Sequence, residues 1–163
     1  MKVTAQEEYG LRCLLQVAAH SANDPITLTE IAQREAMSVP HVAKLMGFLR
    51  HAGLVDSVRG RSGGYVLTRP AETISVYDAL QGLGERLFDA EYCERFHGPD
   101  DQACVHMGGC TIRSVWSRVE AIVGNVLRQT TIADLLGMDE AVLQRSLDDR
   151  SKLSTMLHLE ARK

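Results

Sequence analysis

The stretch that decides the fold is LTEIAQREAMSVPHVAKLMGFLRHAGLVDSVRGRSGGYVLTRP, residues 28–70. Its first half reads as two short helices in succession. Thr27 or Thr29 can cap the first and Ser38 the second, with Pro40 in the opening turn, where its missing N–H costs little. Only Ala36 and Met37 are left between them, a tight turn with the spacing of a helix-turn-helix. In the second helix Val42, Leu45, Met46 and Leu49 recur at helical spacing and are expected to face a core. Ser38, His41 and Lys44, near its start, then occupy the side from which a major groove would be read.

After Gly53 the period changes from helical to strand-like. LVDSV and YVLT are β-formers on either side of RGRSGG, where glycines at 60, 63 and 64 with Ser62 make a turn. The expected product is a hairpin carrying Arg59 and Arg61 on its tip, and a helix-turn-helix followed at once by a basic hairpin is a winged helix. A charged tip is often only a solubility feature, but that reading leaves the clustering of arginines beside a helix-turn-helix unexplained. From residue 34 to residue 69 there are six Lys or Arg and two Asp or Glu, a local charge of +4 inside a chain whose net charge is -3. A basic patch of this kind suits phosphate, with Arg59 and Arg61 entering a minor groove or gripping the backbone. Arg34 and Arg50 either contact phosphate or stay solvated.

Upstream, Thr4 and Glu7 form a capping box, so a first helix is expected from about residue 5, with Leu14, Val17 and Ala18 on its apolar side. Downstream, SVYDALQGLG reads as a short helix after Pro70. From Thr111 to Gln129 a longer amphipathic helix is expected, with Ile112, Val115, Trp116, Val119, Ile122, Val123 and Val126 at steps of three and four. Its apolar face is wide enough to meet both its own body and a partner helix, which predicts a dimer. Thr130 or Thr131 opens a further short helix, TIADLL, ended by Gly137. The remaining stretch, 138–163, is weakly amphipathic.

Between the short and the long helix lies CERFHGPDDQACVHMGGC, residues 93–110, which holds three of the four cysteines. The start of the chain lacks the charge pattern of a secretory signal, and no run approaches the roughly 20 apolar residues of a membrane span. The expectation is a cytoplasmic protein without a membrane partner. In a reducing compartment a cysteine cluster points to metal or redox chemistry rather than disulfides, and an odd number argues against a disulfide framework. Spacing alone leaves two ligand chemistries open, zinc with His97 or His106 as the fourth donor, and iron–sulfur. Cys13 reads as a small buried apolar residue. A redox enzyme is disfavoured, because no Cys-x-x-Cys pair, phosphate loop or nucleophile–base pattern occurs.

The segment MKVTAQEEYGLRCLLQVA, the block from Leu28 to Pro70 and the three cysteines before a long helix together resemble the IscR/NsrR family of iron–sulfur-dependent winged-helix regulators. The resemblance covers about residues 1–137. It implies a homodimeric transcriptional regulator, a repressor, that binds palindromic double-stranded DNA and carries a 2Fe-2S or 4Fe-4S cluster on Cys93, Cys104 and Cys110. Cys104 and Cys110 keep the family's five intervening residues, whereas ten separate Cys93 from Cys104. For the fourth ligand, some members use a histidine three residues after the last cysteine, where this chain has Arg113. Others use an acidic residue of the partner's first helix, and Glu8 stands at that place. The resemblance therefore favours Glu8 of the partner subunit; the alternative is a plain pairing of Glu8 with Arg12 one turn on.

The expectation is therefore a mainly α chain with a small β-hairpin wing. A winged helix-turn-helix domain spans 1–70, a cluster-binding loop and dimerisation helix span 71–137, and a C-terminal tail spans 138–163. The competing function is a winged-helix regulator that uses its cysteines for zinc binding or thiol oxidation, without a cluster.

Overall fold

The structure is a computed structural model. It describes residues 3–20, 24–60, 63–84, 104, 106 and 109–137. Cys93, Arg61, His97 and the tail 138–163 lie outside the described residues, and so does most of the segment 93–110.

Helix α1, Ala5–Ala18, starts where the Thr4 side chain accepts from the Glu7 backbone and the Glu7 carboxylate takes the Thr4 N–H at 2.7 Å. Helix α2, Leu28–Arg34, uses the same device from Thr27, not Thr29, with Glu30 as its reciprocal partner. The turn that follows is made by Ala36 at φ 52°, a left-handed conformation that glycine adopts more readily than alanine. Helix α3, Val39–His51, begins at Ser38 with proline in its first turn. Its stripe of Val42, Leu45, Met46 and Leu49 is fully or almost fully buried, as the helical spacing predicts.

Strands β1, Val55–Val58, and β2, Gly64–Leu67, pair antiparallel in the register Val55↔Leu67 to Val58↔Gly64. At the turn, Gly60 sits at φ +132°, and Gly63 donates to the Gly60 carbonyl at 3.1 Å. The hairpin is tied to the body by a bridge from Ile26 to Tyr65, where Tyr65 donates to the Ile26 carbonyl at 2.8 Å. Gly64 lies against that same backbone. A Cβ built on it would stand 2.6 Å from the Ile26 oxygen, so only glycine fits the approach.

A 3-10 turn, Ala71–Thr73, leads into α4, Val76–Leu83, capped by Ser75 and Asp78. The long helix α5 runs Thr111–Gln129 and the short α6 runs Ile132–Gly137. The chain between them returns to the start of α4. Val76 donates to the Thr130 carbonyl at 2.8 Å and Ile132 donates to the Ile74 carbonyl at 2.9 Å.

One apolar core results. Leu14 and Val17 of α1, Ile31 of α2, the α3 stripe, Leu54 and Val55 at the wing base, Ala79 and Leu83 of α4, and Ile132 of α6 pack together. The winged head is thus continuous with the elements that follow residue 70. Helix α5 stands apart from it. Gly124 is the buried residue of α5, where the Arg128 guanidinium lies 3.8 Å from the Tyr77 ring centroid of α4. Val123 and Leu127 beside it are half-buried, while Ile112, Val115, Trp116, Val119, Ile122 and Val126 are exposed. None of the described helices is long and apolar enough to cross a membrane.

Candidate nucleic-acid interface and thiol site

The outer side of α3 follows from which of its positions the core has used. With Val42, Leu45, Met46 and Leu49 turned inward, Ser38, His41 and Lys44 are all left exposed. The Ser38 hydroxyl makes no capping hydrogen bond, so the helix does not consume it. The Lys44 ammonium lies 5.8 Å from the Phe48 ring centroid, which holds the charge close to the helix surface. The His41 ring meets Tyr9 of α1 edge to face, with centroids 5.8 Å apart and planes at 83°. Arg59 is exposed on the wing, while Arg61 lies outside the described residues. The remaining basic residues are more engaged than the sequence suggests. Arg34 reaches His20 Nε2 at 2.8 Å and donates to Gln16 at 3.4 Å, Arg50 pairs with Asp56 at 3.6 Å, and Arg69 pairs with Asp78 at 3.0 Å. Arg34 and Arg50 are therefore tied to neighbours in the free protein. Arg59 and Lys44 have no carboxylate partner among the described residues.

Two of the three clustered cysteines are described. Cys104 and Cys110 are both half-buried free thiols. Cys110 is the N-cap of α5, and its Sγ accepts the Arg113 backbone N–H at 3.4 Å. A helix end thus supplies a hydrogen bond to this sulfur, the kind of contact that tunes a metal-bound thiolate. His106 is exposed, and its carbonyl accepts from Gly109 at 3.1 Å. No three His, Cys, Asp or Glu side chains converge among the described residues. Cys13 is fully buried, and burial, with the Glu35 charge adding to it, pushes its thiol up to about 12. It stays a protonated, inert core residue.

Glu8 is half exposed near the start of α1. Its carboxylate accepts from Arg12 Nε at 3.0 Å and lies 2.9 Å from Nη2. That hydrogen bond, then the carboxylate charge, holds the guanidinium above its ordinary value. The Arg12 guanidinium is also 5.7 Å from the Tyr9 ring centroid. The pairing read from the i, i+4 spacing is present, and Tyr9 lies between it and His41. Nothing in the sequence pointed to Tyr9, since its partner is 32 positions away and such contacts leave no periodic trace.

Comparison with known proteins agrees with this geometry. The pattern of the family described as Rrf2, iron-dependent transcriptional regulators, matches residues 3–138. Protein rrf2 of Nitratidesulfovibrio vulgaris is 35% identical over 136 residues, covering 83% of this chain and 87% of that protein. The HTH-type transcriptional regulator IscR of Vibrio vulnificus is 32% identical over 142 residues, covering 87% and 81%. Among solved structures, T. potens IscR superposes with a TM-score of 0.64 at 34% identity, over 84% of this chain and 87% of that one. CymR, the global cysteine regulator of B. subtilis, gives 0.63 at 29% identity, over 85% and 99%. The fold is thus shared with solved regulators of this kind, and the chain belongs to the Rrf2 family as a DNA-binding transcriptional regulator.

Proposed function

We propose that this regulator is a homodimeric repressor whose operator affinity is set by an iron–sulfur cluster responding to redox state, iron supply or nitric oxide. The observation that carries the reading is the place of Cys110. It caps the helix whose apolar face is unmet, so a sulfur ligand there acts directly on the element expected to join two subunits. The donor chemistry fits: Cys104 and Cys110 are half-buried thiols outside any disulfide, a soft donor set suited to iron and sulfide. Cys93, Cys104 and Cys110 would hold the cluster, with Glu8 of the partner subunit as the fourth, weaker donor. The bound group supplies an iron site that oxidants or nitric oxide can alter.

The chain's own residues do the rest. Glu8 lies on α1, which packs on α3, so engaging or releasing it biases where the reading face sits. Ser38, His41 and Lys44 enter the major groove, while Arg59 and Arg61 contact the backbone or minor groove of a palindromic site. In this division of labour residues 1–70 read DNA, and residues 71–137 hold the cluster and pair the subunits.

A second reading is favoured by the likeness to a global cysteine regulator. In it the same thiols act through zinc or oxidation, without iron. An ultraviolet-visible spectrum of anaerobically purified protein, with iron and acid-labile sulfide quantified on the same sample, separates the two. The proposal expects broad absorption above roughly 300 nm and matched iron and sulfide, both lost in Cys104→Ala. A colourless, zinc-containing protein overturns it.

A further inference from the structure

We infer that Tyr9 is a positioning residue for DNA reading, its ring holding the His41 imidazole in one orientation on the exposed face of α3. The inference rests on the reading of His41 as a base reader given above. The two rings meet at 5.8 Å and 83°, the edge-to-face arrangement that aromatic quadrupoles favour. Tyr9 is itself well held. It is partly buried against the core on α1, the helix that packs on α3, and the Arg12 guanidinium lies 5.7 Å from its ring centroid.

His41 is the opposite case. It is exposed, and among the described residues it has no hydrogen bond or ion pair, so the Tyr9 ring is what restrains it. An exposed side chain on a helix otherwise samples several rotamers, and ordering it on DNA weakens binding. Fixing the imidazole beforehand removes that cost on the sequence where its contact is made, and does little on DNA where it makes none. Tyr9 thereby contributes to specificity without touching a base.

The test uses the full-length protein, a duplex that it selects from a randomised library, and a scrambled duplex of the same composition. Tyr9→Leu is expected to weaken binding to the selected duplex about 3- to 10-fold and to leave binding to the scrambled duplex nearly unchanged. Tyr9→Phe should restore the wild-type preference, because the contact is made by the ring and not by the hydroxyl. In a His41→Ala background, Tyr9→Leu should have no further effect. Equal weakening on both duplexes, or an undiminished effect of Tyr9→Leu in His41→Ala, would show a merely structural role and overturn the inference. If His41→Ala itself leaves the preference intact, the base-reading role fails first, which is a distinguishable result. Should Tyr9→Leu not fold, nuclear Overhauser contacts between the Tyr9 and His41 ring protons decide the matter in the wild type. Their presence supports the restraint and their absence overturns it.

Discussion

Leu49 on α3 and Ile122 on α5 occupy the same kind of position, an apolar residue in a helical stripe. Leu49 is fully buried, whereas Ile122 is 68% exposed. The head satisfies its own stripes: α1, α3, α4 and α6 converge on one core, and the wing is tied in through Ile26 and Tyr65. The long helix does not. It meets the body around Gly124, where Arg128 stacks on Tyr77 and Val123 and Leu127 are half-buried, while Ile112, Val115, Trp116, Val119, Ile122 and Val126 are turned outward. Sequence periodicity shows that a face will be buried but not by what. In the head the answer lies within the chain, and for α5 we expect it to be a second copy.

The sharpest way to break that comparison is to charge the outward face. Trp116→Glu combined with Ile122→Glu removes four large apolar side chains per dimer, and is expected to weaken dimerisation at least about a thousandfold. Sedimentation velocity should then show single chains where the wild type shows pairs. A wild type that already sediments as one chain at micromolar concentration would refute the comparison's second half. Truncating the inward stripe tests the first half: Leu49→Ala should cost about 2–5 kcal/mol in urea denaturation, through lost burial plus a cavity. A cost below about 1 kcal/mol would mean that the head is less tightly packed than described.

Two smaller effects refine the contrast. Ala36 holds a left-handed backbone in the turn between α2 and α3 while exposed to solvent. Ala36→Gly is expected to relieve that conformation and raise stability by up to about 1 kcal/mol, and a loss of stability would count against the turn geometry. Finally, brief iodoacetamide treatment of metal-free protein at mildly alkaline pH should modify Cys104 and Cys110 and spare Cys13, whose thiol burial pushes up to about 12. Mass spectrometry that finds Cys13 modified at a similar rate would show that the core around it opens.

What was legible in the sequence is what local chemistry encodes. The Thr4–Glu7 box, the α3 stripe and the bounds of α5 from Thr111 to Gln129 are all present as read. Thr27 rather than Thr29 caps α2, because Glu30 lies three residues beyond it and closes a reciprocal pair. The boxes at Ser75–Asp78 and Thr131–Asp134 use aspartate in place of the usual glutamate, so the S/T-x-x-E signature does not mark them. Non-local pairings left no signal at all. The Ile26–Tyr65 bridge, the return of Thr130 to Val76 and the Tyr9–His41 contact join segments whose separation carries no period. For the candidate site, the family resemblance named Glu8, Cys104 and Cys110, and the structure places the first in a pair with Arg12 and the last at a helix cap.

The central claim is that metal occupancy at the cysteines sets DNA affinity. It is tested most directly by measuring binding of anaerobically purified protein to its selected duplex before and after iron removal, with iron and sulfide assayed on both samples. The expected affinity change between the two is about 5- to 150-fold, abolished in Cys104→Ala. Equal affinity with and without a demonstrated cluster would contradict it.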